Sequence, residues 1–315
     1  MKLNYCQLPL GNFGDDLNVL IWSEIFGPVE NFCDDIELWG IGTLLGKMGE
    51  NRIKKLVLGT GGGTGTPKLS STNWDVRWVR GPLTACKLGL PPATGLGDGS
   101  ILWSGLEKYR GPRKDGPVGI IPHWKTTLEF DWEQLCLDAD LLLINASQSP
   151  NQVTEQLHQC SRVLVESLHG AIFPDTLGIP WAPIVLSKGF NTFKWNDWLA
   201  TIGRVFTPFV MDRSLVGSLS VFQALKNRLS RTLGISYKSF NLSLKPIKKV
   251  SAEDVRHVVT QLREFSQNHG EFACSSEARV KRQRQYMLQE CQRTADKYGL
   301  PFLKGGLLPM SQTQT

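Results

Sequence analysis

Short, continuously apolar runs that stop at a glycine or a turn recur through the first two-thirds of the chain, separated by segments with helical spacing. Leu141-Leu142-Leu143-Ile144 is the plainest of them. A strand with no polar face must be covered on both sides, as parallel strands are when helices flank the sheet. Strands are expected at Met1–Leu8, Ile36–Ile41, Lys55–Gly59 and Val76–Arg80, and then at Val118–Ile121, Leu141–Asn145, Arg162–Glu166 and Ala182–Leu186. Helices fit Asp15–Phe26, Pro82–Leu88, Asp131–Asp138, Asn151–Cys160 and Gly170–Leu177; the second opens with proline, which suits a first helical turn. Gly111–Pro117, rich in breakers and charge, separates the two series. The pattern predicts an α/β chain of two doubly wound domains facing a cleft, over residues 1–112 and 113–315. A length of 315 residues also exceeds what one average core uses.

From about Ser251 the pattern turns helical, with Val255, Val258, Val259, Leu262 and Phe265 on one face. Glu277–Lys297 reads as a second, basic helix carrying Lys281, Arg282, Arg284 and Arg293, either a solvated face or a contact for a membrane or partner. Residues Pro309–Thr315 read as a polar tail. No run reaches the roughly 18 apolar residues of a membrane span. The start of the chain offers Lys2 but no long apolar stretch after it, so a cytoplasmic location is expected. The seven cysteines are scattered without a C-x-x-C pair, which suggests reduced thiols rather than a zinc site or disulfide framework. A formal net charge of +6 suits an anionic substrate or surface, or simply a surplus of solvated cations. No nucleic-acid-binding spacing is present, and no nucleic-acid partner is expected.

Several motifs fall at expected strand ends. Gly59–Gly65 contains Gly61, Gly62 and Gly63 but neither G-K-[ST] nor G-x-G-x-x-G in register, so it reads as a cleft wall rather than a nucleotide loop. Asp15 and Asp16 open the first helix, where a carboxylate either caps the helix or binds and deprotonates a sugar hydroxyl. Glu166-Ser167-Leu168-His169-Gly170 places a histidine beyond a strand's carboxyl end, at a helix start that favours anions. There His169 serves as a general acid or as a structural cap. Arg80 ends a strand before Gly81-Pro82 and could fork a carboxylate or phosphate. His123 holds the same topological place in the second domain, and Lys188 and Lys194 follow the last good strand. Trp39, Trp181 and Trp195 are expected beside the cleft, where flat rings suit sugars, although core packing is the commoner use.

Taken in order, Gly11–Asn18, Gly61–Gly63, Val79–Thr84, Gly97-Asp98-Gly99, Leu168-His169-Gly170 and Phe193–Trp198 resemble the polysaccharide pyruvyl transferase family, over about residues 1–203. The resemblance implies a glycosyltransferase-B-like pair of Rossmann-like domains. The N-terminal one lies on the acceptor side, and the C-terminal one, with its helical extension from about residue 250, on the donor side. It implies phosphoenolpyruvate as co-substrate, no cofactor and no metal, and a saccharide acceptor, free or lipid-linked, the latter bringing the enzyme to a membrane surface. By position, His169 looks like the family's catalytic histidine and Arg80 like its donor-binding arginine. Ser167, Gly170, His123, Lys188 and Lys194 complete the expected donor side, Asp15 and Asp16 act on acceptor hydroxyls, and Asp98 joins the cleft wall. Many members carry arginine where this chain has Ser167, so the lost cation is expected to be replaced by Lys188, Lys194 or His123. Two rival readings stay open: a nucleotide-sugar glycosyltransferase, and a non-catalytic binding or scaffold protein of polysaccharide assembly.

Overall fold

The computed structural model describes residues 1–8, 11–29, 32, 35–46, 53–63, 65–66, 69, 73–107, 111–112, 115–127, 132–186, 190–211 and 251–304. It is an α/β structure with two all-parallel sheets, as two Rossmann-like domains. In the first, β1 (Lys2–Asn4), β2 (Ile36–Trp39), β3 (Lys54–Leu58) and β4 (Trp74–Trp78) lie side by side in chain order. In the second, β5 (Val118–Ile121) is flanked by β6 (Leu141–Leu143) on one side and β7 (Arg162–Val165) on the other. Beyond β7 come β8 (Trp181–Val185) and β9 (Phe209–Val210).

Side-chain alternation sorts each strand's residues into separate cores. In the first sheet Leu56 and Leu58 face helix α1 (Phe13–Phe26), whose Leu17, Ile21, Trp22 and Ile25 share their cluster. Val57 faces the opposite way, with Leu45, Val79 and the Ala85 and Leu88 of α2 (Pro82–Leu88). The second sheet repeats the scheme. Ile121, Val163 and Val165 join the same cluster as α1, together with residues of α5 (Pro150–Gln159) and α6 (Leu168–Leu177). Ile120, Leu164 and Ile184 join α4 (Trp132–Ala139) and α8 (Ala252–Gln267) on the far side. A single turn, α3 (Trp124–Thr127), follows β5. One continuous core therefore runs through both halves.

Helix ends follow local chemistry. Ser149 and Gln152 form a reciprocal capping box at α5, and Asn191 caps α7 (Thr192–Ile202) by accepting the Lys194 N–H. The basic helix, α9 (Glu277–Tyr298), is not a solvated rod. Met287, Leu288, Cys291, Thr294 and Ala295 are buried along one face. At its end Lys297 Nζ and the Tyr298 hydroxyl donate to Asp75 on β4, at 2.9 and 2.7 Å. Earlier, Arg284 pairs with Glu107. Lys281 and Arg282 remain exposed. No helix among the described residues is long and apolar enough to cross a membrane.

Candidate functional site

The second sheet reverses winding direction between β5 and β7, and the crevice beyond the strand ends at such a reversal is where open α/β sheets take ligands. His123 follows β5 there and Glu166 follows β7. Glu166 is 1% exposed, and its Oε2 accepts the His123 N–H at 2.8 Å, fastening the two strand ends together. Ser167 Oγ accepts the Gly170 N–H at 3.0 Å and so caps α6. A serine here completes a helix start, which is a local reason for its presence. The cap places His169 in the first turn.

His169 then reaches the first half. Its ring lies over the first turn of α1, where a Cβ on residue 14 would stand 1.8 Å from Nδ1, so Gly14 makes the approach possible. Phe13 meets the ring edge-on at 6.5 Å between centroids. The Phe13 N–H donates to Ala146 O at 3.0 Å, tying the same turn to the loop after β6. Asn18 holds α1 against the end of β2, accepting the Ile41 N–H at 2.7 Å. The starts of α1 and α6 thus meet, and their combined dipoles favour negative charge between them.

Two carboxyl groups flank the imidazole. Asp98 Oδ2 is 3.7 Å from His169 Nε2, with the Asp98 side chain wholly enclosed and that of His169 12% exposed. Asp15 Oδ2 accepts the Asn12 amide at 2.6 Å. Burial pushes the Asp15 carboxyl above its ordinary range and nearby Asp98 adds to this, against the opposing charges of His169 and Lys194 and the Asn12 hydrogen bond. Burial acts upward on Asp98 too, but His169, the Ser100 N–H and the Arg80 charge outweigh it and hold that carboxyl below the usual carboxylate range. Paired acids driven in opposite directions are what acid–base chemistry at one centre uses. Asp16 has a different task, its Oδ2 accepting the Asn12 N–H at 2.9 Å and closing the first turn of α1. Lys194, in the first turn of α7, is near enough for its charge to act on Asp15.

Arg80 stands apart from this group. It is 1% exposed, and its guanidinium donates to Thr43 Oγ1 at 2.9 Å and to Gly62 O at 3.1 Å. Its Nε lies 3.3 Å from Asp197 Oδ2. A Cβ on residue 61 would fall 2.1 Å from the guanidinium carbon, so Gly61 gives it room. Asp197, fully buried on α7, also accepts the Thr84 N–H at 2.8 Å and the Thr84 hydroxyl at 2.5 Å. The Gly62 N–H donates to Thr84 Oγ1 at 3.0 Å, and the Gly63 N–H to Thr66 Oγ1 at 2.8 Å. Arg80 and the glycine run therefore form a wall joining the two halves, and Arg80 bears on the His169 group through its charge on Asp98.

Lys188 lies outside the described residues. The tryptophans expected beside a cleft are core instead: Trp181 and Trp195 are 0% exposed and pack on each other, and Trp39 is 9% exposed beneath Trp74. Asp197 and Glu166 were not singled out from the sequence. Asp197 had a signal, an acid between Trp195 and Trp198 on a helix face that must be buried; Glu166 had only its place at the end of an apolar strand.

No protein-family model matches the chain, and no solved structure matches it at a significant level. Its sequence is 36% identical over 211 residues to the succinoglycan biosynthesis protein ExoV of Rhizobium meliloti (strain 1021), an alignment spanning 66% of this chain and 67% of the relative. Coverage of that extent at that identity places the chain in the exopolysaccharide-biosynthesis family to which this ExoV protein belongs.

Proposed function

We propose that the protein transfers a pyruvyl group from phosphoenolpyruvate to a sugar of an exopolysaccharide, or of its lipid-linked precursor, forming a pyruvate ketal. The observation that carries this reading is the placement of His169 where the starts of α1 and α6 meet, between two acids of opposite tendency. A small anion suits two helix starts with Lys194 close by, and a proton donor beside it suits an enol phosphate. In this reading residues 1–112 hold the acceptor and residues 113–315 the donor.

The reaction runs through the methylene carbon of phosphoenolpyruvate. His169 gives that carbon a proton, the C=C pair forms the new C–H bond, and the cation left at C2 is stabilised by its oxygen substituent. One sugar hydroxyl adds to C2, the C2–O bond to phosphate breaks, and a second hydroxyl closes the ring. Of the two hydroxyl protons, one replaces that given by His169 and the other leaves with phosphate. Asp15 orients the acceptor hydroxyls, and Asp16 keeps the turn that presents Asp15. The test is release of inorganic phosphate from phosphoenolpyruvate with exopolysaccharide repeat-unit acceptors. Acceptor-dependent release that falls by about 10²–10⁴ in His169→Ala is expected; full turnover in that variant would remove His169 from the chemistry.

A second reading is a nucleotide-sugar glycosyltransferase, supported by the winding reversal of the second sheet, the place where open α/β sheets take nucleotide ligands. Thermal-shift measurements with phosphoenolpyruvate and with UDP- and GDP-sugars separate the two, because only a ligand bound by the folded state raises the melting temperature.

A further inference from the structure

We propose that Asp98 is the positioning residue for His169, and that the C-terminal helix α9 holds Asp98 in place. The reaction through which this would be seen rests on the pyruvyl-transfer reading, whereas the pairing itself does not.

Asp98 Oδ1 accepts the Ser100 N–H at 3.0 Å, which leaves Oδ2 enclosed with no hydrogen-bond donor among the described residues. His169 Nε2 is likewise buried and without a hydrogen bond, and the two unmatched atoms face each other at 3.7 Å. An enclosed carboxylate oxygen is costly unless a cation or donor answers it. Arg80 acts on Asp98 from nearby, but its own Nε is turned to Asp197. His169 is the group placed to answer Oδ2. At 3.7 Å the contact is an ion-pair distance; a shift of about 0.7 Å makes it a hydrogen bond, and such contacts tighten when substrate binds.

The loop that carries Asp98 is fixed from behind. Gln283 Nε2, on α9, donates to Leu96 O at 2.6 Å and to Thr201 Oγ1 at 3.3 Å. The ends of Gln283 and Met287 lie against Gly97, which has φ +133°. After Asp98, the 3-10 turn Gly99–Leu102 sets Ile101 and Leu102 into the shared core. A helix from the end of the chain thus reaches back to the first half and sets a carboxylate that addresses a histidine from the second. The charged groups around the ring are Asp98 from this loop, Asp15 from α1, Lys194 from α7 through Asp15, and Arg80 through Asp98. In this arrangement Asp98 keeps a proton on Nε2, fixes the ring plane and balances the positive charge of the ring. It does not touch substrate.

The experiment compares full-length Asp98→Asn and Gln283→Ala with the unsubstituted chain by steady-state kinetics, pH–rate profile and nitrogen NMR of the His169 ring, with the ring signal assigned using His169→Gln. Asp98→Asn is expected to lower kcat by about 10²-fold, to leave KM for phosphoenolpyruvate within about threefold, and to change the shape of the pH–rate profile. Its His169 signal loses the preference for a proton on Nε2. Gln283→Ala is expected to change kcat and ring signal in the same direction, by less. An unchanged ring signal in Asp98→Asn overturns the positioning role, whatever the rate does, and an unchanged ring signal in Gln283→Ala overturns the part given to α9. If Asp98→Asn does not fold, the ring signal of the unsubstituted chain decides: a neutral His169 ring protonated on Nε2 is expected, and one protonated on Nδ1 overturns the positioning role. If the unsubstituted chain releases no phosphate from phosphoenolpyruvate, the pyruvyl-transfer reading fails, while the ring signals still decide the pairing.

Discussion

In the first sheet the strands lie in chain order from β1 to β4, whereas in the second β7 crosses to the far side of β5 from β6. A sheet wound in one direction has no point where successive connections part, so its strand ends carry loops that pack on something else. Here they pack on the second half: Gly14 under His169, and Arg80 against Asp197. The second sheet has the parting, and His123, Glu166 and His169 stand at it. The two sheets divide the labour. One half encloses and supplies acids; the other presents the imidazole.

Three substitutions test that division. Arg80→Ala should have the largest effect, about 3–5 kcal/mol of stability, because it leaves Asp197 buried without its counter-charge. Chemical denaturation checks it, and a loss of activity with stability intact would instead make Arg80 a ligand-binding residue. Next, Gly14→Ala should lower turnover by about 10²-fold, since a methyl group there displaces the His169 ring while the helix itself gains a good helix former. Kinetics and a melting curve together distinguish displacement from unfolding. The smallest effect belongs to Asp75→Asn, about 1 kcal/mol near neutral pH, from loosening α9 on the first sheet. Burial acts upward on Asp75, but hydrogen bonds from Lys297 and Tyr298 and the charges of Arg77 and Lys297 outweigh it and hold it below the ordinary carboxylate range. That stabilisation is therefore present above the ordinary carboxylate pKa and lost as the pH falls through the lowered value. Melts of the two chains should differ near neutrality and converge in strong acid.

The strands were legible because a run such as Leu141–Ile144 has no polar face to give to water. Their order was not, since spacing along the chain is the same whether β7 lies beside β6 or beside β5. Helix α7 went unread beyond its Phe193–Trp198 motif, and α9 read as a basic surface because its buried residues are diluted among cations. At the site, His169 was legible from its place between a strand end and a glycine. Arg80 looks the same in sequence whether it awaits a ligand or meets Asp197, because the partner lies far along the chain. Asp98 stood out only by the glycines beside it, and its relation to His169 depends on the contact between the halves.

The ion pair of Arg80 with Asp197, sealed beneath Thr84 and the glycine run, also ties two distant stretches of the chain to one register. The carboxylate that answers the guanidinium also holds the backbone and hydroxyl of Thr84, so one acid on α7 sets both the end of β4 and the start of α2.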